Sequence, residues 1–136
     1  MDVIKRINDF GWVDWALDSL KVDYERIIIK LIYCSDSINK PDIFATIQCG
    51  NFIGFSIIGH WDENIIEHIK IEPKGDLIDD SLRRVECLYG NSPLLGGGMK
   101  KIDNKWHQLN VRLIDGNVVK VACDNFEFEL QGAVDK

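Results

Sequence analysis

The spacing of apolar residues changes from a helical period to a strand period within the first third of the chain. Before Gly11 the apolar residues recur at helical spacing and predict a first helix, with the stripe Val3, Ile4, Ile7 and Phe10. Residues 12–24 fit two alternatives. One is a second helix, with the stripe Val13, Leu17 and Leu20. The other is a short strand, with the alternating residues Leu20, Val22 and Tyr24. Both alternatives stay open.

Alternation with a period of two begins at Ile27 and predicts a series of strands. The segment from Ile27 to Tyr33 is apolar on both faces, which is typical of an interior strand. Residues 35–41 are predicted to form a loop, and residues 43–49 a second strand. Gly50-Asn51 then predicts a turn, and residues 52–58 predict a third strand with a bulge at Gly54.

Two further segments contain possible helices. Residues 62–71 fit either a helix or a strand, and the pattern alone does not choose between them. Residues 76–89 predict a helix, because acids open it and its apolar residues share one face: Ile78, Leu82, Val85 and Tyr89. Gly90 follows as the residue expected after a helix C-terminus. Residues 91–104 predict a loop centred on Gly96-Gly97-Gly98.

A hairpin is predicted near the C-terminus, around the turn Asp115-Gly116-Asn117. A three-residue loop keeps the core residues of both strands on one face, with the pairs Leu113–Val119, Val111–Val121 and Leu109–Cys123. A two-residue loop would instead set Val111 against Lys120 and mix the faces. Phe126, Phe128 and Leu130 alternate with Glu127 and Glu129, which predicts a final strand.

Together these elements predict one α+β domain over residues 1–136. Its body is an antiparallel sheet of about six strands with one or two packed helices. A hydrophobic fraction of 46% and a charged fraction of 28% are those of a globular protein. The four cysteines form no C-x-x-C pair, and Cys49 and Cys123 fall in apolar alternation, which indicates buried free thiols. With no apolar export segment and no run that could span a bilayer, we expect a cytoplasmic protein without membrane contact.

The formal charge of −6 is concentrated between residues 62 and 86, where eight acids face four bases. Binding to nucleic acid requires clustered lysine and arginine, which this chain lacks. We therefore expect no nucleic-acid partner and consider a basic protein surface the complementary one. A solubilising role is the alternative explanation of the same charge.

The sequence contains no complete catalytic or metal-binding motif. His60, Glu63, Glu67 and His68 could converge on a divalent ion if residues 62–70 were helical, but their spacing matches no zinc signature. The glycine loop lacks the hydroxyl and the helix of a Walker loop, and residues 54–59 miss the nucleophile-elbow spacing by one. We expect no catalytic residue, no cofactor and no bound metal.

The C-terminal half resembles a known kind of protein in the rhythm of its motifs. The resemblance lies in Tyr89-Gly90, the glycine loop, Trp106, the strand around Leu109-Asn110-Val111, the Asp115-Gly116 turn and the segment Cys123-Asp124-Asn125-Phe126. It is similar to small bacterial β-rich domains of unknown activity, some of which are immunity proteins encoded beside polymorphic toxins. The resemblance implies a non-enzymatic bacterial protein that binds another protein, and it transfers no site residue.

The leading hypothesis is therefore a protein-binding domain, immunity-like in kind, that docks through an acidic face. The candidate partner-binding residues are Asp62, Glu63, Glu67, Asp79, Asp80 and Trp106. Trp106 belongs to this set because it lies on the face of its strand opposite Leu109 and Val111, as an exposed or a helix-covered aromatic. The alternatives are a small metal- or ligand-binding protein, with hydrolase activity, that uses the histidine and glutamate cluster, and a structural subunit.

Overall fold

Six β-strands form one antiparallel sheet in the order β1-β2-β3-β6-β5-β4, and two helices pack on it in the described part of the chain. This computed structural model describes residues 2–23, 25–34, 42–58, 64–89 and 105–132. The predicted α+β fold is confirmed. The elements are α1 (Val3–Asp9), β1 (Ala16–Val22), β2 (Arg26–Tyr33), β3 (Ile43–Ile58), β4 (Ile66–Glu72), α2 (Asp76–Tyr89), β5 (His107–Leu113) and β6 (Val118–Gly132).

The two segments that the sequence left ambiguous both contribute strands, and each becomes an edge of the sheet. β1 pairs with β2, and β4 pairs with β5. The edges meet at one end, where Leu17 N–H donates to Asn64 O at 2.8 Å and Ile66 N–H donates to Trp15 O at 2.8 Å. Each segment thus gains strand pairing on two sides at this end. Such tertiary pairing overrides weak local preference.

The predicted turn at Gly50-Asn51 is wrong, because β3 continues through it as a single strand. β6 runs alongside for the same length, so the predicted hairpin strand and the predicted final strand are also one strand. Asn51 takes a φ of 52°, and its side chain donates to Asp124 Oδ2 at 2.8 Å across the pair. The bulge predicted at Gly54 is confirmed by a shift of register between Phe52 and Gly54.

The β5–β6 hairpin has the predicted loop length but different loop residues. The pairs are Val111–Val119 and Leu109–Val121, so the predicted register is wrong by two positions. The loop begins one residue earlier than expected, because Gly116 takes the left-handed conformation at φ 92° and its N–H donates to Leu113 O at 3.0 Å. A shift of two preserves the faces, and the predicted core residues are buried: Leu109, Val111, Leu113, Val119, Val121 and Cys123.

The main core lies on the inner face of the curled sheet and draws apolar side chains from all six strands. α1 contributes Ile7 to this core. The ring of Phe10 packs against the rings of Trp12 and Trp15, which also belong to the core. α2 covers part of the outer face. Cys49 and Cys123 are buried as predicted, and the Cys123 thiol together with burial raises the pKa of the Cys49 thiol. Neither helix in the described ranges has the length and the apolar character of a membrane-spanning segment.

Candidate functional site

The candidate acids that the structure describes lie on two elements, β4 and α2. Glu67 is exposed on β4, and Asp79 and Asp80 are exposed on α2. Asp62 and Glu63 lie outside the described residues. The acids that the structure does describe are therefore at the surface, as a docking role requires.

Trp106 is only 5% exposed and lies beneath α2, so the helix-covered alternative is the one the structure shows. Its ring packs with Ile78 and Ala122 in a small apolar cluster on the outer face of the sheet. Its indole N–H has no hydrogen-bond partner in the described part of the chain. In this conformation Trp106 supports α2 rather than presenting a surface to a partner.

The histidine and glutamate cluster is described only in part, since His60 and Glu63 lie outside the described residues, as does the glycine loop. Glu67 and His68 follow one another on β4. The helical spacing that would bring Glu63 and Glu67 together is not available there, because residues 66–72 form a strand. Among the described residues no three His, Cys, Asp or Glu side chains are grouped to hold a metal ion.

A polar cleft of about 360 Å³ opens on the outer face of the sheet, where α2 begins. β4, β5 and β6 form its floor and one wall, and the segment before α2 forms the other. Its polar lining consists of His68, Glu72, Lys74, Asp76, Gln108, Asn110, Arg112 and Lys120. At this cleft the acidic segment and the C-terminal hairpin meet around a cavity.

Gln108 holds the start of α2 against the floor of the cleft. Its side chain is 2% exposed and uses both ends of its amide. The Oε1 atom accepts from Leu77 N–H at 2.9 Å and from Ile78 N–H at 3.2 Å, which satisfies two donors at the helix N-terminus. The Nε2 atom donates to Asp76 Oδ1 and to Asn110 Oδ1, each at 3.0 Å. The cleft therefore has a fixed floor.

Gly75 makes this arrangement possible because it leaves room for the amide. A Cβ atom at this position would overlap Oε1 and Cδ of Gln108. Any other residue would push the amide away from the helix N-terminus. No sequence motif announces the contact, since Gln108 follows Gly75 by more than thirty residues, and only the glycine before an acidic helix start hints at it.

Asp76 is the best-held carboxylate of the cleft. The Lys120 ammonium, 2.8 Å from Asp76 Oδ2, and then the Gln108 amide lower the pKa of Asp76 from 3.8 to about 2. A carboxylate held this way stays ionised at neutral pH and is a poor acceptor of protons. Its chemistry suits recognition of a donor rather than general-base catalysis.

The ion pair between Asp76 and Lys120 predicts a change in the titration of Asp76 in the variant Lys120→Met. In the wild-type protein the Asp76 carboxyl should titrate with a midpoint near 2, and in the variant the midpoint should move toward 3.8. Because the folded pKa is the lower one, the pair stabilises the fold above about pH 4 and the effect is lost as pH falls toward 2. The contribution is at most about 1 kcal/mol, since Asp76 is largely exposed.

Carbon-detected NMR of the side-chain carboxyl measures this midpoint directly. Lys21→Met, a change of the same kind at an exposed position on β1, is the control and should leave the Asp76 midpoint unmoved. An unmoved midpoint in Lys120→Met would show that the ion pair does not form in solution.

An acidic rim begins at the two carboxylates that line the cleft, Glu72 and Asp76, and includes three further exposed acids on β4 and α2. We define it as Glu67, Glu72, Asp76, Asp79 and Asp80. Asp79 and Asp80 lie three and four residues after Asp76 and so share its face of the helix. The opposite face of the helix, with Ile78 and Ser81, is buried against the sheet. The rim thus joins β4 to the exposed face of α2.

The rim is less negative than the sequence count suggests, because β5 and β6 bring in cations from outside residues 62–86. Arg112 Nε lies 3.6 Å from Glu67 Oε1, and Lys120 pairs with Asp76. Arg83 also bonds Asp80, at 2.9 Å. The side-chain carboxylates of Glu72 and Asp79 have no ion pair or hydrogen bond among the described residues. The site is therefore a mixed-charge surface with an acidic excess at its margin.

Comparison with protein-family models, with characterised proteins and with solved structures found no match for this chain. The likeness to immunity proteins accordingly stays a prediction.

Proposed function

We propose that this domain is a non-enzymatic, protein-binding module, immunity-like in kind, that docks through the polar cleft and its acidic rim. The observation that carries the proposal is that two exposed carboxylates, Glu72 of β4 and Asp76 of α2, line one cavity whose floor is fixed by Gln108. A preformed polar cavity with a charged margin gives a partner both a place to insert a side chain and a field that orients it.

The charges of the rim and the cleft determine which charges a partner surface must carry. Glu72 and Asp79 carry the charge that is left uncompensated, so the complementary surface contains lysine or arginine near its centre. The cations Lys74, Arg112 and Lys120 line the same cleft, so the partner also presents an acceptor to them. A basic protein surface with an acidic or carbonyl group between its cations meets both requirements. The cytoplasmic location and bacterial origin expected from the sequence stay predictions.

The test measures association with a purified partner, beginning with the product of the gene beside this one, at two salt concentrations. Between about 0.01 M and 0.15 M salt the screening length shortens from about 30 Å to about 8 Å. We expect the association rate constant to fall at least about tenfold over this range, while the dissociation rate constant changes little. An association rate independent of salt would contradict docking through the rim.

A further inference from the structure

Hydrogen-bond donors converge on the floor of the polar cleft. Gln108, Asn110 and Arg112 alternate with buried core residues along β5, so their three side chains share the outer face of the sheet. All three line the cleft, and Lys120 joins them from β6, where it pairs with Asn110. The floor is therefore a continuous polar patch supplied by two neighbouring strands.

The orientation of the Asn110 amide follows from the bonds that Gln108 makes. The Gln108 oxygen accepts from the backbone at the start of α2, so its nitrogen faces the other way and donates to Asn110 Oδ1 at 3.0 Å. The Nδ2 donors of Asn110 are then directed away from Gln108, and they have no partner among the described residues. Because Asn110 lines the cleft, these N–H groups are open to a bound acceptor.

The lining of the cleft has an excess of positive charge, although the whole chain carries −6. Its charged side chains are three cations and two carboxylates: Lys74, Arg112, Lys120, Glu72 and Asp76. A bound group with one negative charge would balance this lining, and the cations would draw it inward.

Two of the cations keep donors that the described residues do not use. Arg112 Nε lies 3.6 Å from Glu67 Oε1, beyond hydrogen-bond length, so the guanidinium forms only a long ion pair. Lys74 has no ion pair in the described part of the chain. Arg112 and Asn110, two positions apart on one face of β5, therefore supply the open donors of the floor, and Lys74 supplies charge from the wall.

We propose that the floor of the cleft binds a carboxylate, held by Arg112 and the Asn110 amide, and that the partner supplies it from an acidic side chain or its C-terminus. The inference rests on the proposed protein-binding function and names the group that enters the cleft. A guanidinium presents parallel N–H donors whose spacing matches the two oxygens of a carboxylate. The Asn110 amide adds a neutral donor beside them, fixed in direction by Gln108.

The charge of the lining selects a carboxylate over other acceptors. A neutral carbonyl group would cover the excess positive charge from water without balancing it, which is costly. A phosphate carries more than one negative charge at neutral pH. Its further charge would share one cleft with the Glu72 and Asp76 carboxylates, which repel it.

The first test titrates the full free chain with acetate, exchanged for chloride at constant ionic strength. NMR follows the side-chain resonances of Asn110 Nδ2 and Arg112 Nε, which should shift together along one saturating curve. Acetate is small, so half-saturation should fall at about 10–100 mM. Shifts that grow without saturating, or that leave these two side chains unmoved, would overturn the proposal.

Asn110→Asp tests the donor while preserving the floor. The new carboxylate can still accept from Gln108 Nε2, but it turns an acceptor of like charge toward the bound anion. Acetate binding should weaken about tenfold or more. Asn125→Asp, the same change at an exposed position on β6, should leave it within about twofold. Equal weakening in the two variants would reduce the effect to net charge and overturn the site.

Arg112→Met is the second variant, and it removes the guanidinium fork. We expect acetate binding to weaken about tenfold or more. Arg26→Met, at an exposed position on β2, is its control and should leave binding within about twofold. Inorganic phosphate at the same ionic strength should bind more weakly than acetate. If phosphate binds more tightly and is lost in Arg112→Met, the floor is a phosphate site and the carboxylate proposal is overturned.

A purified partner separates this inference from the proposed function. Asn110→Asp should raise the dissociation rate constant about tenfold or more, because it acts on a contact made inside the cleft, and should leave the association rate constant within about threefold. A partner that associates with the expected salt dependence but dissociates at an unchanged rate overturns this inference and leaves the proposed function in place. Saturable acetate binding in that case would assign the site to a free carboxylate and overturn the partner as its source. A partner whose association ignores salt, but whose dissociation is accelerated by Asn110→Asp, supports the carboxylate site and contradicts docking through the rim.

Discussion

Val111→Asp and Val121→Asp should each abolish folding or lower the free energy of unfolding by more than about 4 kcal/mol, because each places an unpaired charge in the core. Both side chains are fully buried on the inner face of the sheet, one on β5 and one on β6. A domain of this size has about 5–15 kcal/mol of stability in total, so the loss is a large part of the whole. Urea denaturation followed by tryptophan fluorescence measures it.

Val22→Asp is the matched control for this prediction. It makes the same chemical change on β1, where the valine is 49% exposed, and should cost less than about 1 kcal/mol. Equal losses in Val22→Asp and Val121→Asp would mean that the inner face of the sheet has been assigned to the wrong residues.

Gln108→Leu should lower the free energy of unfolding by about 2–3 kcal/mol, although it preserves size and adds apolar character. The change removes the acceptor shared by Leu77 and Ile78 and the donor to Asp76 and Asn110. The first turn of α2 is then left with donors that have lost their cap. Denaturation gives the total loss, and the exchange rates of the Leu77 and Ile78 amides should rise with it.

Gln48→Leu is the control, because Gln48 lies half-buried on β3 and its side chain, among the described residues, accepts one hydrogen bond, from Arg26, and caps no helix. We expect a loss below about 1 kcal/mol. If the two variants lose the same stability, Gln108 does not hold α2 and the floor of the cleft is not fixed in the way described.

The faces of the hairpin could be predicted from sequence, but its register could not. Alternation assigns Leu109 and Val111 to the core whichever even shift is chosen, so the faces survive an error of two positions. The register depends on which residue takes the left-handed conformation. Gly116 does so as the last residue of the loop, and the motif Asp-Gly-Asn does not show whether Asn117 belongs to the loop or to the strand.

The lengths of β3 and β6 also could not be predicted from the local pattern of apolar residues. Gly50-Asn51 has the composition of a turn, yet β6 offers a partner on both sides of it and the strand continues. β1 and β4 form where the sequence was ambiguous because the two segments meet each other at the closing end of the sheet. In each case the deciding contact comes from a distant part of the chain, which single-sequence periodicity does not contain.

The exposed acids of the candidate site could be predicted from the sequence, but the cleft could not. The exposed Asp79 and Asp80 follow from helical periodicity. The cleft depends on Gln108, Arg112 and Lys120, which come from the hairpin and belong to no motif. Trp106 was correctly assigned to the outer face, but the pattern could not show that α2 covers it.

Docking through the acidic rim is tested most directly by comparing two triple charge reversals, each measured by its association rate with a purified partner at low salt. One is Glu67→Lys, Asp79→Lys and Asp80→Lys on the rim, and the other is Asp18→Lys, Glu127→Lys and Glu129→Lys at exposed positions outside it. Both change the net charge by the same amount, so any difference reports location. We expect the rim variant to associate at least about tenfold more slowly while remaining folded, and the association rate of the other variant to fall much less. Equal rates in the two variants would contradict docking through the rim.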